Sequence, residues 1–166
     1  RPLVDCRQGS TATSLFGEPF AHPILLAPVA YQRLVHRDAE LATAQAAAAL
    51  ETGMVVSTLA STTLERLAAE LPRNKWFPIY WQGGRAATAK LAARAERAGY
   101  SALVVTVDVP ITALRNRAAR AGFRHPQNVT AVNVDSGPAA EIALDLGQSR
   151  VFQGVMATAP TWDDIR

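Results

Sequence analysis

The chain has 166 residues, 49% of them hydrophobic and 19% charged, with a formal charge of +3 and a single cysteine, Cys6. That is the composition of a globular domain with a real core, and it excludes a disordered segment, an internal disulfide framework and a cysteine-based zinc site. The arginines are scattered without an aromatic-interleaved basic stripe, and no apolar run reaches membrane-spanning length. Neither nucleic acid nor a membrane span is therefore expected, and a reduced compartment, the cytoplasm, is the expected setting.

In chain order, residues 1–23 read as short strands forming an entry hairpin, with apolar pairs separated by turn residues. A brief apolar run follows at 24–28, then an alanine-rich helix over 38–52 stopped by Gly53. Residues 54–57 read as a strand. Thr62 and Glu65 have capping-box spacing at the start of a second helix, in which Leu64, Leu67 and Ala68 keep helical spacing. Residues 76–80 read as a strand, with Pro78 an awkward member. A strong helix spans 86–98 and ends at Gly99. The strand over 102–108 ends where Pro110 removes a backbone donor.

Strand–helix steps roughly 25 residues apart are the pattern of βαβ units and a parallel sheet. Beyond Pro110 the pattern fails. Residues 111–160 read as a long active-site loop, and 161–166 as the opening of a further helix capped by Thr161, cut off soon after it begins.

The stretch over 102–110 carries a candidate site as well as a strand. Thr106 and Asp108 stand two apart at its C-terminal end and so share a face. That end of a parallel strand is where α/β sheets place ligands. Taken alone, Asp108 is equally a turn residue before proline, Tyr80 a packing tyrosine and Arg115 a solvated loop arginine. His22, His36 and His125 have no metal-ligand or triad spacing, and no glycine-rich phosphate loop is present.

Several stretches together resemble the FMN-dependent α-hydroxy-acid oxidase and dehydrogenase family. They are Ala27-Pro28-Val29-Ala30-Tyr31-Gln32 with His36, Ser57-Thr58-Leu59-Ala60-Ser61-Thr62, Tyr80, Ala95 to Tyr100 and Thr106 to Pro110. Arg115, Gly122-Phe123 and Thr161 to Ile165 follow in order. The resemblance implies a (β/α)8 TIM barrel, of which residues 1–110 supply the entry hairpin and about four β/α units. A whole barrel takes about 250 residues, so 166 cannot close one.

By the same resemblance FMN is the cofactor, with Pro28, Val29, Ala30, Ser57 and Thr106 against it. Tyr80 and Asp108 are the catalytic candidates: Tyr80 contacts substrate oxygens and Asp108 pairs with the family's histidine base. Arg115 meets the carboxylate of a small 2-hydroxy acid, and no metal is implied. The base, the principal substrate arginine and the flavin-phosphate site belong to the half of the barrel not represented here. The partners implied are that remaining half, in the same protein or a second chain, and further copies in a homo-oligomer. The alternative is an inactive half-barrel acting only by association with a complementary chain. Two positions depart from the family pattern: Pro78 stands where a flavin-bonding glutamine is usual, and Leu59 where an aromatic is frequent.

Overall fold

The computed structural model describes residues 7–108, 115–134, 145–149, 151, 156 and 159–166. Cys6 and the Val109-Pro110 end of the last strand lie outside them. The entry hairpin pairs β1 (Thr13–Leu15) with β2 (Glu18–Phe20) antiparallel. Phe16 and Gly17 form its two-residue turn, both at positive φ, which matches the twist of the flanking strands.

Four strands follow: β3 (Leu25–Leu26), β4 (Gly53–Val55), β5 (Lys75–Ile79) and β6 (Ala102–Val105). They form one parallel sheet in the order β3-β4-β5-β6. Helices α1 (Ala39–Ala49), α2 (Leu64–Glu70) and α3 (Arg85–Arg97) lie between successive strands. The order never reverses among these strands, as in a barrel segment; a doubly wound sheet turns back at a switch point.

The helix ends correct the sequence reading in two places. α1 ends at Ala49 with a left-handed residue at Glu51 (φ 52°), and the Thr52 N–H returns to the Ala47 carbonyl at 2.9 Å. Gly53 instead opens β4, where a Cβ would come within 2.8 Å of the Phe20 ring. The cap of α2 is Thr63, which accepts from the Arg66 N–H, because Thr62 is turned toward Glu40. Gly99 ends α3 as expected: at φ 78° it donates to Glu96 O while Tyr100 N–H reaches Ala95 O.

The helices cover one face of the sheet. Met54, Val56, Phe77 and Ile79 pack there with Leu64, Leu67, Leu71, Leu91 and Ala95. The Tyr100 ring meets Phe77 edge-on at 5.5 Å, and its hydroxyl donates to Leu64 O at 2.9 Å. Burial raises the Tyr100 phenol above its ordinary pKa.

The opposite face of β5 meets the hairpin. The Trp76 ring lies 5.4 Å from Phe16 and 6.1 Å from Phe20. Asn74 donates to Pro19 O at 3.1 Å and Ser101 to Glu18 at 2.8 Å. The hairpin therefore closes the N-terminal ends of the strands and leaves the C-terminal ends open.

Pro78 sits in a central strand, where proline is normally excluded. Trp76 O bonds Val56 N–H toward β4, whereas Ile79 O bonds Thr106 N–H toward β6. By alternation, the position of Pro78 faces β4, whose ladder stops at Val55. The ladder to β4 therefore ends before Pro78, which has no N–H to continue it, and the Thr58 hydroxyl takes the Pro78 carbonyl.

The segment read as a long loop is partly built. It holds α4 (Asn116–Arg120), and Val129 and Asn133 are buried. Short α5 (Trp162–Ile165) follows Thr161, whose N–H donates to the Asp164 carboxylate at 2.8 Å.

Gly53→Ala should push the Phe20 ring aside and cost about 1–3 kcal/mol in urea unfolding, as overpacking does. Adding Phe20→Leu should return part of that loss, because the Phe20 ring is the nearest neighbour of the new Cβ, ahead of the Leu25 side chain.

Candidate active site

Alternation along the strands sorts the candidate residues. Trp76 pairs in register with Val55 on one side and Ala102 on the other. Continuing by twos, Ser57, Pro78, Tyr80, Val104, Thr106 and Asp108 share the Trp76 face. Leu103, Val105 and Val107 line a cavity of about 260 Å³ with Ala89 and Ala92 of α3, which puts them on the helix side. That cavity is behind the sheet, and Thr106, just past the end of β6, borders it as well.

The sheet thus brings Ser57, Tyr80, Thr106 and Asp108 to one face at the C-terminal ends of β4, β5 and β6. Ser57 is buried, and its hydroxyl oxygen accepts from Leu59 N–H at 3.1 Å, leaving its proton to donate elsewhere. The Tyr80 phenol, the Thr106 hydroxyl and the exposed Asp108 carboxylate have no side-chain partner among the described residues. Pro28, Val29 and Ala30 follow β3 as an exposed shelf of small, largely apolar residues. Arg115 precedes α4 and is exposed; among the described residues no hydrogen bond or ion pair joins it to the other four.

The loops after these strands are tied to one another. Tyr31 N–H donates to Leu59 O at 3.1 Å, joining the loop after β3 to that after β4. Fully buried Glu40 accepts from Gln32 N–H at 3.0 Å, Ser61 N–H at 2.9 Å and the Thr62 hydroxyl at 3.0 Å. The segment after α4 returns across the strand ends. Its His125 ring lies edge-on to Tyr31 at 4.5 Å, and Val132 N–H donates to Ala60 O at 3.2 Å. Asn133 accepts from Leu64 N–H at 2.8 Å and donates to Thr62 O at 3.0 Å. Arg94 donates to Asn133 O and to both oxygens of Glu65.

The sequence reading missed Glu40, Asn133 and the Tyr31–His125 contact. Glu40 carries a local signal, since it is the only charged residue of alanine-rich α1. Asn133 carries none, because its partners lie some 70 residues away. The histidines stay apart. His22 is 3.2 Å from Thr52, before β4, and His36 accepts from Asp38 N–H at 3.2 Å. No cluster among the described residues could hold a metal ion.

A family model described as FMN-dependent dehydrogenase matches residues 1–166. The chain belongs to this family. It is 46% identical over 167 residues to an L-lactate oxidase of Alicycliphilus denitrificans and 43% identical over 174 residues to a 4-hydroxymandelate oxidase of Amycolatopsis orientalis. These alignments cover 100% and 99% of this chain but 46% of each relative. A solved mandelate oxidase with (S)-2-phenylpropionate superposes with a TM-score of 0.77 at 40% identity, over 96% of this chain and 45% of that one. The chain thus spans less than half the length of these relatives, and the fold is part of the barrel of the FMN-dependent dehydrogenases.

The residues at the strand ends fit the ring of the family's cofactor, FMN. A flat aromatic ring needs an apolar shelf and polar groups at its edge. Pro28, Val29 and Ala30 offer the first, and the unpartnered Thr106 hydroxyl and the Ser57 proton offer the second. Pro78, on the same face, offers no donor.

Removing the Asn133 side chain by Asn133→Ala should cost about 1–3 kcal/mol, since it strands the buried Leu64 N–H. Trypsin should then cut faster at the arginines between 115 and 124 than in α3. Arg94 holds the Glu65 carboxyl below its ordinary pKa through their hydrogen bonds. The contribution of this pair is therefore present above the unfolded-state value of 4.5 and fades as pH falls through the lowered one. The pair is largely exposed, so it is worth at most about 1 kcal/mol. The Tm difference between the parent and Glu65→Gln should close as pH drops below that range.

Proposed function

We propose that the chain forms part of an oxidoreductase that converts a small 2-hydroxy acid to a 2-oxo acid using FMN. The observation that carries this reading is the group of polar side chains, Tyr80, Thr106 and Asp108, that stand at the C-terminal strand ends beside the exposed shelf after β3 with no side-chain partner among the described residues. FMN, when bound, accepts the hydride equivalent from the substrate Cα.

In this reading Pro28, Val29 and Ala30 pack on the ring, and Ser57 and Thr106 bond its polar edge. Tyr80 donates to a substrate oxygen, stabilising charge there without ionising at neutral pH. Arg115 takes the substrate carboxylate in a bidentate grip. Asp108 faces an imidazole supplied from outside this chain and favours its protonated form, so the hydroxyl proton has a resting place as the hydride leaves. His22, His36 and His125 are each engaged elsewhere and do not fill that role. Solved mandelate oxidases include variants of one tyrosine and of one arginine thirty-five positions apart, the separation of Tyr80 and Arg115 here. This supports placing both residues at the substrate, and (S)-mandelic acid bound in one of those structures supports the substrate class.

The working protein is in this reading a completed barrel, assembled as a homo-oligomer in the cytoplasm. A second reading, a half-barrel that acts only with a complementary chain, is favoured by one observation. Leu103, Val104 and Val105 of β6 are 45%, 36% and 40% exposed, and among the described residues β6 pairs only with β5. No helix among the described residues is long and apolar enough to cross a membrane.

An anaerobic visible spectrum of the completed barrel, recorded before and after adding lactate and mandelate, tests the main reading. A flavin band that bleaches supports it, and a bound flavin that neither acid bleaches would sink it. The 166-residue chain by itself should show no turnover, because no histidine base faces Asp108; turnover in material whose mass proves this chain alone would contradict that. In the complete oxidase, Tyr80→Phe should lower kcat ~10–100-fold while the flavin spectrum is kept.

A further inference from the structure

Glu40 is a buried acid that the chemistry above does not use. It stands in the first turn of α1, where the helix dipole favours negative charge. Its Oε1 accepts two backbone N–H groups: Gln32, from the loop after β3, and Ser61, from the loop after β4. Its Oε2 accepts the hydroxyl of Thr62. A carboxylate suits this place because all three neighbours arrive as donors. The same helix also grips the first loop through Thr43, whose hydroxyl donates to Gln32 Oε1 at 2.6 Å. The two loops it joins are those that carry Pro28, Val29 and Ala30 on one side and Ser57 on the other.

We infer that Glu40 is the positioning residue that sets the loop after β3 against the loop after β4, and so fixes the apolar shelf relative to the Ser57 hydroxyl. Its consequence for flavin binding rests on the function proposed above. Its consequence for the loops does not. The bond between Tyr31 N–H and Leu59 O is the probe, because it joins the same two loops without touching Glu40.

The experiment is amide hydrogen exchange, read by NMR on the 166-residue chain, its Glu40→Ala and its Glu40→Gln variants. Glutamine keeps an oxygen for both backbone N–H groups and turns its amide toward the Thr62 hydroxyl, which can accept. In Glu40→Ala the Tyr31 amide should exchange about tenfold faster or more, while in Glu40→Gln it stays within about threefold of the parent. The Thr106 amide, bonded to Ile79 O, should not change in either. A Tyr31 amide that stays protected in Glu40→Ala would overturn the inference, as would Tyr31 and Thr106 accelerating together. Glu40→Asp, one methylene short, takes the place of the alanine variant if that one does not fold, with the same split expected.

FMN titrated onto the same proteins and followed by its fluorescence gives the second reading. Weaker binding by Glu40→Ala than by the parent and Glu40→Gln supports the functional consequence, and equal binding by all three overturns it. Absence of binding by the parent is what a chain without the flavin-phosphate site allows, and it leaves the Tyr31 amide to decide the role of Glu40.

Discussion

Everything in this structure depends on one sheet face being covered by helices while the other is left for something else. Met54, Val56, Phe77 and Ile79 turn outward into α1, α2 and α3, and the alternation of a strand then forces Val55, Trp76 and Val104 the other way. The hairpin occupies the lower part of that second face through Phe16, Phe20 and Trp76. What is left is its C-terminal end. Ser57, Tyr80, Thr106 and Asp108 stand there because the pleat leaves them no other direction.

The loops above this floor are held by polar groups as well as by the burial of Ala60 and Val129. Glu40 satisfies backbone donors from two loops at once, and Asn133 ties the returning segment to the start of α2. Each removes a buried N–H that would otherwise be costly to leave unmet. Arg94 extends the tie to Glu65, so α2, α3 and the returning segment share one network. Such ties fix the loops relative to one another without filling the space above the strand ends.

Family membership and the open edge of β6 are two aspects of one fact. The chain aligns with less than half of each compared relative, and the sheet it builds runs in barrel order with an apolar outer strand half uncovered. An exposed, unpaired strand is an association hazard in any parallel sheet. That edge is the natural place for further strands to join.

The sequence by itself determined the parallel α/β class, the entry hairpin, the sites of α1 to α3 and the strand that begins at Ala102, although that strand stops at Val105, short of the Asp108 expected. All of these follow from local rules: apolar runs, helical spacing, glycine after α3, and the period of two along a strand. It also carried the family, through short stretches whose order is constrained even where each is weak. It misjudged the cap of α2 and the stop of α1, because Thr62 and Gly53 answer to Glu40 and Phe20, which are distant in sequence. Pro78 looked wrong for a strand until the end of the β4 ladder beside it was known. Only the tertiary structure decided that Glu40 and Asn133 bond the loops and that His125 meets Tyr31. Those facts depend on contacts between residues up to some 90 positions apart, and no pattern within a single element records them.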